Sequence, residues 1–261
     1  MAPIHLFPAN GLHCDHYQSM CSGLNGLIMP VKYLPHDPKN PPLADPFSWD
    51  DLLLQKNDLP TNNGYGIGHS LGGTILLHDA LLHPYRWRAI VVIDPALFSP
   101  FINRMYACMR FLGIEDWVHP MVKRTQKRRT QFESINSVFN RWRQRQAFSL
   151  LSDQQLHQFI LASLTQNQSG QYQLRFSKEW EASIYRNMCS LDSFIWQKLP
   201  ALKTQLIVIT GASSNTFLKG AQDKLRPYCS EWVTVPNTSH MVPFEAPEAI
   251  NAIIQTGLIA L

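Results

Sequence analysis

The chain of 261 residues is short of charge: Asp, Glu, Lys and Arg make up 16% of it, where soluble domains average roughly 25%. A disordered chain is poor in apolar residues and rich in charge; a hydrophobic content of 45% excludes that class. No stretch approaches the ~18 uninterrupted apolar residues of a membrane-spanning helix. The 13 Gly and 18 Pro follow no period, which excludes collagen and linker sequences. The five cysteines (Cys14, Cys21, Cys108, Cys189 and Cys229) are odd in number and hold no C-x-x-C spacing. Free thiols in a reducing compartment are expected, rather than a disulfide framework or a zinc site. No His-Glu-x-x-His or His/Cys cluster points to a metal, and no cofactor is expected. The first eight residues lack the basic start and long apolar segment of a secretory signal, so the expected location is cytoplasmic.

What is present alternates between two patterns. Ile4 to Phe7 and Gly26 to Leu34 are apolar runs closed by turn-forming stretches, and Phe47 to Leu54 suggests a short helix ending near Pro60. Gly64 to Gly68 is a glycine-rich strand. Thr74 to Leu82 is almost wholly apolar and too long for a strand, which predicts a buried helix ending at His83-Pro84. Ala89 to Ile93 and Leu206 to Ile209 are continuous β-branched and apolar runs, the pattern of strands buried on both faces of a parallel sheet. Trp232 to Val235 is a weaker strand, and Pro247 onward spaces Ile250, Ile253, Ile254 and Leu258 for one face of a final helix. Strand and helix in alternation predict an open α/β sheet. The long stretch between residues 93 and 206 differs in character. Phe132, Ile135, Phe139 and Trp142 are spaced for one helix face and Leu150 to Ile160 for another, so a helical insertion is expected over 97–197. It would divide a core of residues 1–96 and 198–261.

The informative string is Gly68-His69-Ser70-Leu71-Gly72-Gly73, a G-x-S-x-G motif with a strand before it and an apolar helix after it. The chain must reverse from strand to helix within a few residues. Side chains two positions either side of Ser70 would collide in so tight a turn, hence Gly68 and Gly72. The turn lifts the Ser70 hydroxyl to a helix N-terminus, where the backbone N–H of Leu71 can hold a developing oxyanion.

With this motif the sequence resembles the α/β-hydrolase family over nearly its whole length. The resemblance implies a mostly parallel sheet covered by helices, with an inserted helical cap, and a serine hydrolase cleaving a carboxylic ester through an acyl-enzyme. Pro8-Ala9-Asn10-Gly11-Leu12 stands where the family carries a His-Gly oxyanion loop. Asn10-Gly11 taking that place would make the backbone N–H of Leu12 the second oxyanion donor, and Asn10, Gly11 and His69 are expected to border the substrate. His240, in Pro236-Asn237-Thr238-Ser239-His240, stands in the kind of segment that carries the family's general base, ahead of a Pro/Glu-rich helix start. The turn where the family usually places its acid reads Gly211-Ala212-Ser213-Ser214-Asn215 and holds no carboxylate. Some family members take the acid from the preceding strand, which points to Asp94, at the carboxyl end of the run from Ala89, with Asp223 as the fallback. A serine rather than an aspartate at position 70 argues against haloalkane dehalogenase and epoxide hydrolase. Acyltransferases, thioesterases, carbon–carbon bond hydrolases, lyases and cofactor-free haloperoxidases share the same residues and stay open.

The net charge of +4 is unevenly placed: residues 101–150 hold ten Lys/Arg against Glu115, Asp116 and Glu133. A binding protein using this basic stretch on RNA or an anionic membrane is the remote alternative. No RNA-binding motif accompanies the charge, so the expected partner is a small-molecule ester and not a nucleic acid. The charge is expected at the pocket mouth, where neutralising Arg124, Arg128 and Arg129 would weaken the use of acidic substrates.

Overall fold

The computed structural model describes residues 3–44, 47–54, 56–114 and 120–259. In chain order its strands are β1 (Ile4–Phe7), β2 (Ile28–Pro30), β3 (Gly64–His69), β4 (Trp87–Ile93), β5 (Gln131–Phe132), β6 (Leu164–Gln166), β7 (Tyr172–Leu174), β8 (Gln205–Gly211) and β9 (Glu231–Val235). Its longer helices are α1 (Leu71–Leu82), α2 (Pro100–Phe111), α3 (Pro120–Gln126), α4 (Ile135–Arg143), α5 (Asp153–Ser163), α6 (Lys178–Lys198), α7 (Lys219–Leu225) and α8 (Pro247–Ile259).

Successive side chains of a strand point to opposite faces, and β4 uses both. Ile90 and Val92 join one apolar core with Leu71, Ile75, Leu206 and Val208. Ala89, Val91 and Ile93 join the other, with Ile67, Ile207, Ile209, Ile250 and Ile254. A strand buried on both sides needs neighbours on both edges and helices on both faces. The main sheet supplies the neighbours in the order β2-β1-β3-β4-β8-β9, every pair parallel. Helix α1 covers one face and α8 the other.

Three features differ from the pattern read in the sequence. The apolar run Gly26 to Leu34 contributes only the three-residue edge strand β2, and the helix expected ahead of Pro60 is the single turn Trp49–Leu52. The 97–197 stretch is not purely helical: β5, β7 and β6 form a small antiparallel sheet. Phe132 belongs to it, opposite Tyr172, and the following helix starts only at Ile135, after Ser134 accepts the Ser137 N–H. The pairing partner lies forty positions away, beyond the reach of a local periodicity. Glu115 and Asp116, two of the three acids counted in the basic stretch, lie outside the described residues. Among the described residues no helix is long and apolar enough to cross a membrane.

Candidate active site

Parallel strands β3 and β4 end side by side, with His69 opposite Ile93 in the register. The residues just beyond them, Ser70 and Asp94, both adopt positive φ (54° and 42°). Such a backbone costs about 1–3 kcal/mol at a non-glycine residue and persists only where its surroundings hold it. Here they do. Ser70 N–H donates to Ile93 O (2.9 Å), Ser70 O accepts from Ala96 N–H (3.1 Å), and Asp94 N–H donates to Ile209 O (2.7 Å). The glycines of the motif are sterically required: a Cβ at Gly68 would lie 2.5 Å from Gly72 O, and one at Gly72 only 2.1 Å from Phe7 O.

The turn brings Ser70 to His240. Ser70 Oγ stands 3.0 Å from His240 Nε2, and His240 Nδ1 stands 2.5 Å from Asp94 Oδ2. Asp94 is fully buried, while the His240 side chain keeps 23% of its surface exposed. Oδ2 of Asp94 also accepts from Ser214 Oγ (2.5 Å), and Oδ1 has no partner among the described residues. A hydroxyl joined to an imidazole, joined in turn to a buried carboxylate, is the arrangement in which the imidazole can take the hydroxyl proton. The carboxylate then stabilises the resulting cation.

The His240 loop is held from both sides. Glu245 accepts from the Ser239 N–H and hydroxyl, both at 2.6 Å. Asn237 turns the chain at φ 57°, a conformation asparagine tolerates. Behind the loop, His69 donates from Nε2 to His240 O (2.9 Å) and accepts at Nδ1 from the Tyr17 hydroxyl (2.9 Å), whose oxygen accepts from Ala9 N–H (3.0 Å). His69 is 1% exposed. Burial, then the neighbouring His240, push its pKa well below the ordinary value, so it is a neutral strut between two loops. Both nitrogens are used and no face is open, so His69 does not border the substrate as expected from the motif.

The loop after β1 also departs from expectation. Leu12 N–H closes a turn onto Ala9 O (3.1 Å) and is not free to meet an oxyanion. Gly11, at φ 81°, is covered by the Glu181 carboxyl, 3.3 Å from where a Cβ would stand. Asn10 donates from its side chain to Glu181 O (3.2 Å), whereas its backbone N–H meets no acceptor among the described residues. Asp223 is excluded as the acid: it lies exposed on α7, paired with Lys219 (2.8 Å). Ser214, Glu245, Tyr17 and Glu181 escaped the sequence reading. Only Ser214 carried a local signal, since it stands in the turn where a carboxylate was sought. Among the described residues, no group of three or more His, Cys, Asp or Glu is placed to hold a metal ion.

Histidines back this loop and make it sensitive to acid. His36 Nε2 donates to Leu12 O (3.0 Å) while Nδ1 accepts from Tyr33 N–H (3.1 Å). His16 Nε2 donates to Ser163 Oγ (2.9 Å) while Nδ1 accepts from His13 N–H (3.1 Å). Both sets of bonds require neutral rings. Burial pushes His16 down to about 4 and His36 to about 3, from 6.5. The unfolded chain therefore takes up protons below pH 6.5 that the folded chain refuses, and stability falls as pH drops from 6.5 toward 4. His16 alone accounts for about 3 kcal/mol across that window. Urea midpoints should be flat above pH 7 and drop steeply between pH 6.5 and 4, and His16→Asn should flatten the drop. A midpoint independent of pH in this window would contradict the neutral assignment.

The chain matches the model of the alpha/beta hydrolase family over residues 19–253. No curated protein sequence matches it. Among solved structures, a peroxisomal alpha-beta-hydrolase from Saccharomyces cerevisiae aligns with a TM-score of 0.74 at 17% identity, covering 99% of this chain and 77% of that one. An E-2-(acetamidomethylene)succinate hydrolase aligns at 0.73 and 17%, covering 100% and 92%. An esterase from Mycobacterium tuberculosis aligns at 0.68 and 14%, covering 99% and 84%. At these identities the structures speak for the fold. The family match spans most of the chain, and the strained serine turn between β3 and α1 is its structural signature: the chain is a member of the alpha/beta hydrolase family.

Proposed function

We propose that this protein is a serine hydrolase that cleaves a carboxylic ester through an acyl-enzyme, with Ser70, His240 and Asp94 as its triad. The observation carrying this reading is the unbroken chain of hydrogen bonds from Ser70 Oγ through His240 to Asp94 Oδ2. Ser70 Oγ attacks the carbonyl carbon as His240 Nε2 takes its proton. The tetrahedral oxyanion then collapses, and His240 returns the proton to the leaving alcohol. Water, activated by the same nitrogen, attacks the acyl-enzyme and releases the acid. Asp94 fixes the Nδ1–H tautomer and stabilises the imidazolium. Among the described residues its second oxygen takes no donor, so there the carboxylate is met only by Ser214 and His240.

The oxyanion donors in this reading are the backbone N–H groups of Leu71 and Asn10. Leu71 opens α1, and Asn10 replaces Leu12 because its N–H meets no acceptor among the described residues. A Cβ at Gly72 would press on Phe7 O and Pro8 O, so the chain leading into Asn10 runs directly against the turn. Residues 97–197 are read as a cap over this site, between core segments 1–96 and 198–261. Residues from this stretch meet the core loops at Glu181 on Gly11 and Ser163 on His16.

A fluorophosphonate probe tests the reading. It should label the wild type and leave Ser70→Ala unlabelled, and that variant should lose ester hydrolysis by about 10⁴-fold or more. A folded wild type that takes no label overturns the assignment. A panel of esters graded by acyl length then gives the substrate range.

A further inference from the structure

The loop after β1 is held residue by residue. Pro8 O accepts from the Tyr33 hydroxyl (3.1 Å), Ala9 N–H donates to the Tyr17 oxygen (3.0 Å), and Leu12 O accepts from His36 Nε2 (3.0 Å). Between them, Asn10 and Gly11 are met by a residue of the 97–197 stretch, Glu181 on α6. Asn10 Nδ2 donates to Glu181 O (3.2 Å). The Glu181 carboxyl lies over Gly11, with Cδ 3.3 Å and Oε2 3.4 Å from where a Cβ would stand. Gly11 turns the chain at φ 81°, and its missing side chain lets the acid come so near the backbone.

Glu181 is 4% exposed. A carboxylate buried this deeply persists only when it is paired. Arg128, one of the arginines expected at the pocket mouth, supplies the pairing: Nη1 stands 2.5 Å from Oε2 and Nη2 2.9 Å from Oε1. Thr125 Oγ1, on α3, lies 3.5 Å from Oε1. Burial pushes the Glu181 pKa up and Arg128 pulls it down. A buried ion pair adds little stability over apolar residues of the same volume, so stability does not account for an acid at this position. Its placement does. The acid presses on the residue next to the Asn10 N–H, one of the two proposed oxyanion donors. An unpaired carboxylate there would oppose the charge that the donor has to hold. Paired with Arg128, it can brace the loop without that penalty.

We propose that Glu181 is a positioning residue for the oxyanion: it braces Gly11 and the Asn10 side chain so that the Asn10 N–H faces the acyl oxygen, and Arg128 cancels the charge of the brace. Glu181 acts through the loop and not on the substrate. This inference rests on the serine-hydrolase reading and adds the residue that fixes its second donor.

A set of variants tests it, each assayed for kcat and KM on one chromogenic ester and for its melting point. Glu181→Asp keeps the charge but draws the carboxyl back from Gly11. Its kcat should fall by about 10- to 100-fold, the cost of a slightly misplaced donor. Its KM should stay within about threefold, because the interaction lost is made in the transition state. Glu181→Gln keeps the length and the contact with Gly11, so its kcat should stay within about threefold of the wild type. Arg128→Gln leaves the carboxylate uncancelled and should lower kcat by about 10- to 100-fold. Adding Glu181→Gln to that variant should recover about tenfold or more. Arg143→Gln is the control. It breaks another ion pair of the same stretch, with Asp153 (2.8 Å), and should leave kcat unchanged whatever it does to the melting point.

An unchanged kcat in Glu181→Asp, an equal loss in Glu181→Gln, a loss carried in KM, or the same loss in Arg143→Gln overturns the brace. An impaired Arg128→Gln that Glu181→Gln does not rescue overturns the part given to Arg128. If Arg128→Gln does not fold, the contrast between Glu181→Asp and Glu181→Gln decides alone. A wild type that neither cleaves esters nor takes the fluorophosphonate overturns the hydrolase reading and this inference with it. A wild type that does both, with a Glu181→Asp that matches it, overturns this inference only.

Discussion

Asp94→Asn should lower ester hydrolysis by about 10⁴-fold, and adding Ser214→Asp to that variant should recover a measurable part of the loss. The first effect follows from the tautomer. An amide at position 94 can offer its N–H₂ to His240 Nδ1, which selects the ring form with its proton on Nε2, unable to accept from Ser70. It also removes the charge that stabilises the imidazolium. The second effect follows from a shared atom. Ser214 Oγ and His240 Nδ1 both bond Asp94 Oδ2, each at 2.5 Å. An aspartate at 214 extends one atom further than serine and carries its carboxylate into the space in front of Nδ1. The turn holding Ser214 is itself fixed, by Ser213 N–H and hydroxyl bonds to Thr238 O (2.9 and 2.8 Å). Rates of a chromogenic ester in the four chains of the cycle measure both effects. Near-full activity in Asp94→Asn places the acid elsewhere. An inactive Asp94→Asn that Ser214→Asp does not rescue shows that position 214 cannot deliver a carboxylate to the ring.

Why Asp94 could be picked from the sequence while its neighbours could not is a matter of range. Ala89 to Ile93 reads as a doubly buried strand because each face of β4 meets its own core, and the residue after such a strand must emerge at the sheet edge. The glycines around Ser70 are legible for a similar reason: the turn's demands fall within five residues. In the loop after β1, the Leu12 N–H expected to be free is tied to Ala9 O. The loop's geometry is set by Tyr17 on Ala9, His36 on Leu12 and Glu181 on Gly11, and none of these is implied by the loop's own letters. His69 shows the same limit. Its place in the motif points to the substrate border, yet its bonds are made with Tyr17 and His240, which lie 52 and 171 positions away. The edge strand β9 is faint in the sequence because it is only partly buried, so the pattern demands few apolar residues there.

Gly72→Ala should cost about 3 kcal/mol of stability or more and lower activity by about 10²-fold in the fraction that folds. The added methyl would lie 2.1 Å from Phe7 O, 2.5 Å from Phe7 C and 2.7 Å from Pro8 O. All three are backbone atoms, so no rotamer change relieves the clash. Either α1 lifts away from the sheet or the end of β1 gives way. Lifting α1 carries Leu71 and its N–H with it. Displacing β1 carries Pro8 to Asn10, the segment that holds the other proposed donor. Both routes separate the two amides that must converge on one oxyanion, which is why the activity loss should exceed what partial unfolding accounts for. Gly220→Ala is the internal control, also a glycine-to-alanine change within a helix. A Cβ there meets only Ser99 Cβ, at 3.8 Å, so the change should be neutral or stabilise by up to about 1 kcal/mol through a less flexible unfolded chain. Thermal melts of the two variants, with fluorophosphonate labelling rates taken well below each midpoint, separate stability from geometry. A Gly72→Ala protein that melts with the wild type and labels at the wild-type rate would show that the β1 loop and the serine turn are not packed against each other, and with that the pairing of Asn10 and Leu71 as donors would fall.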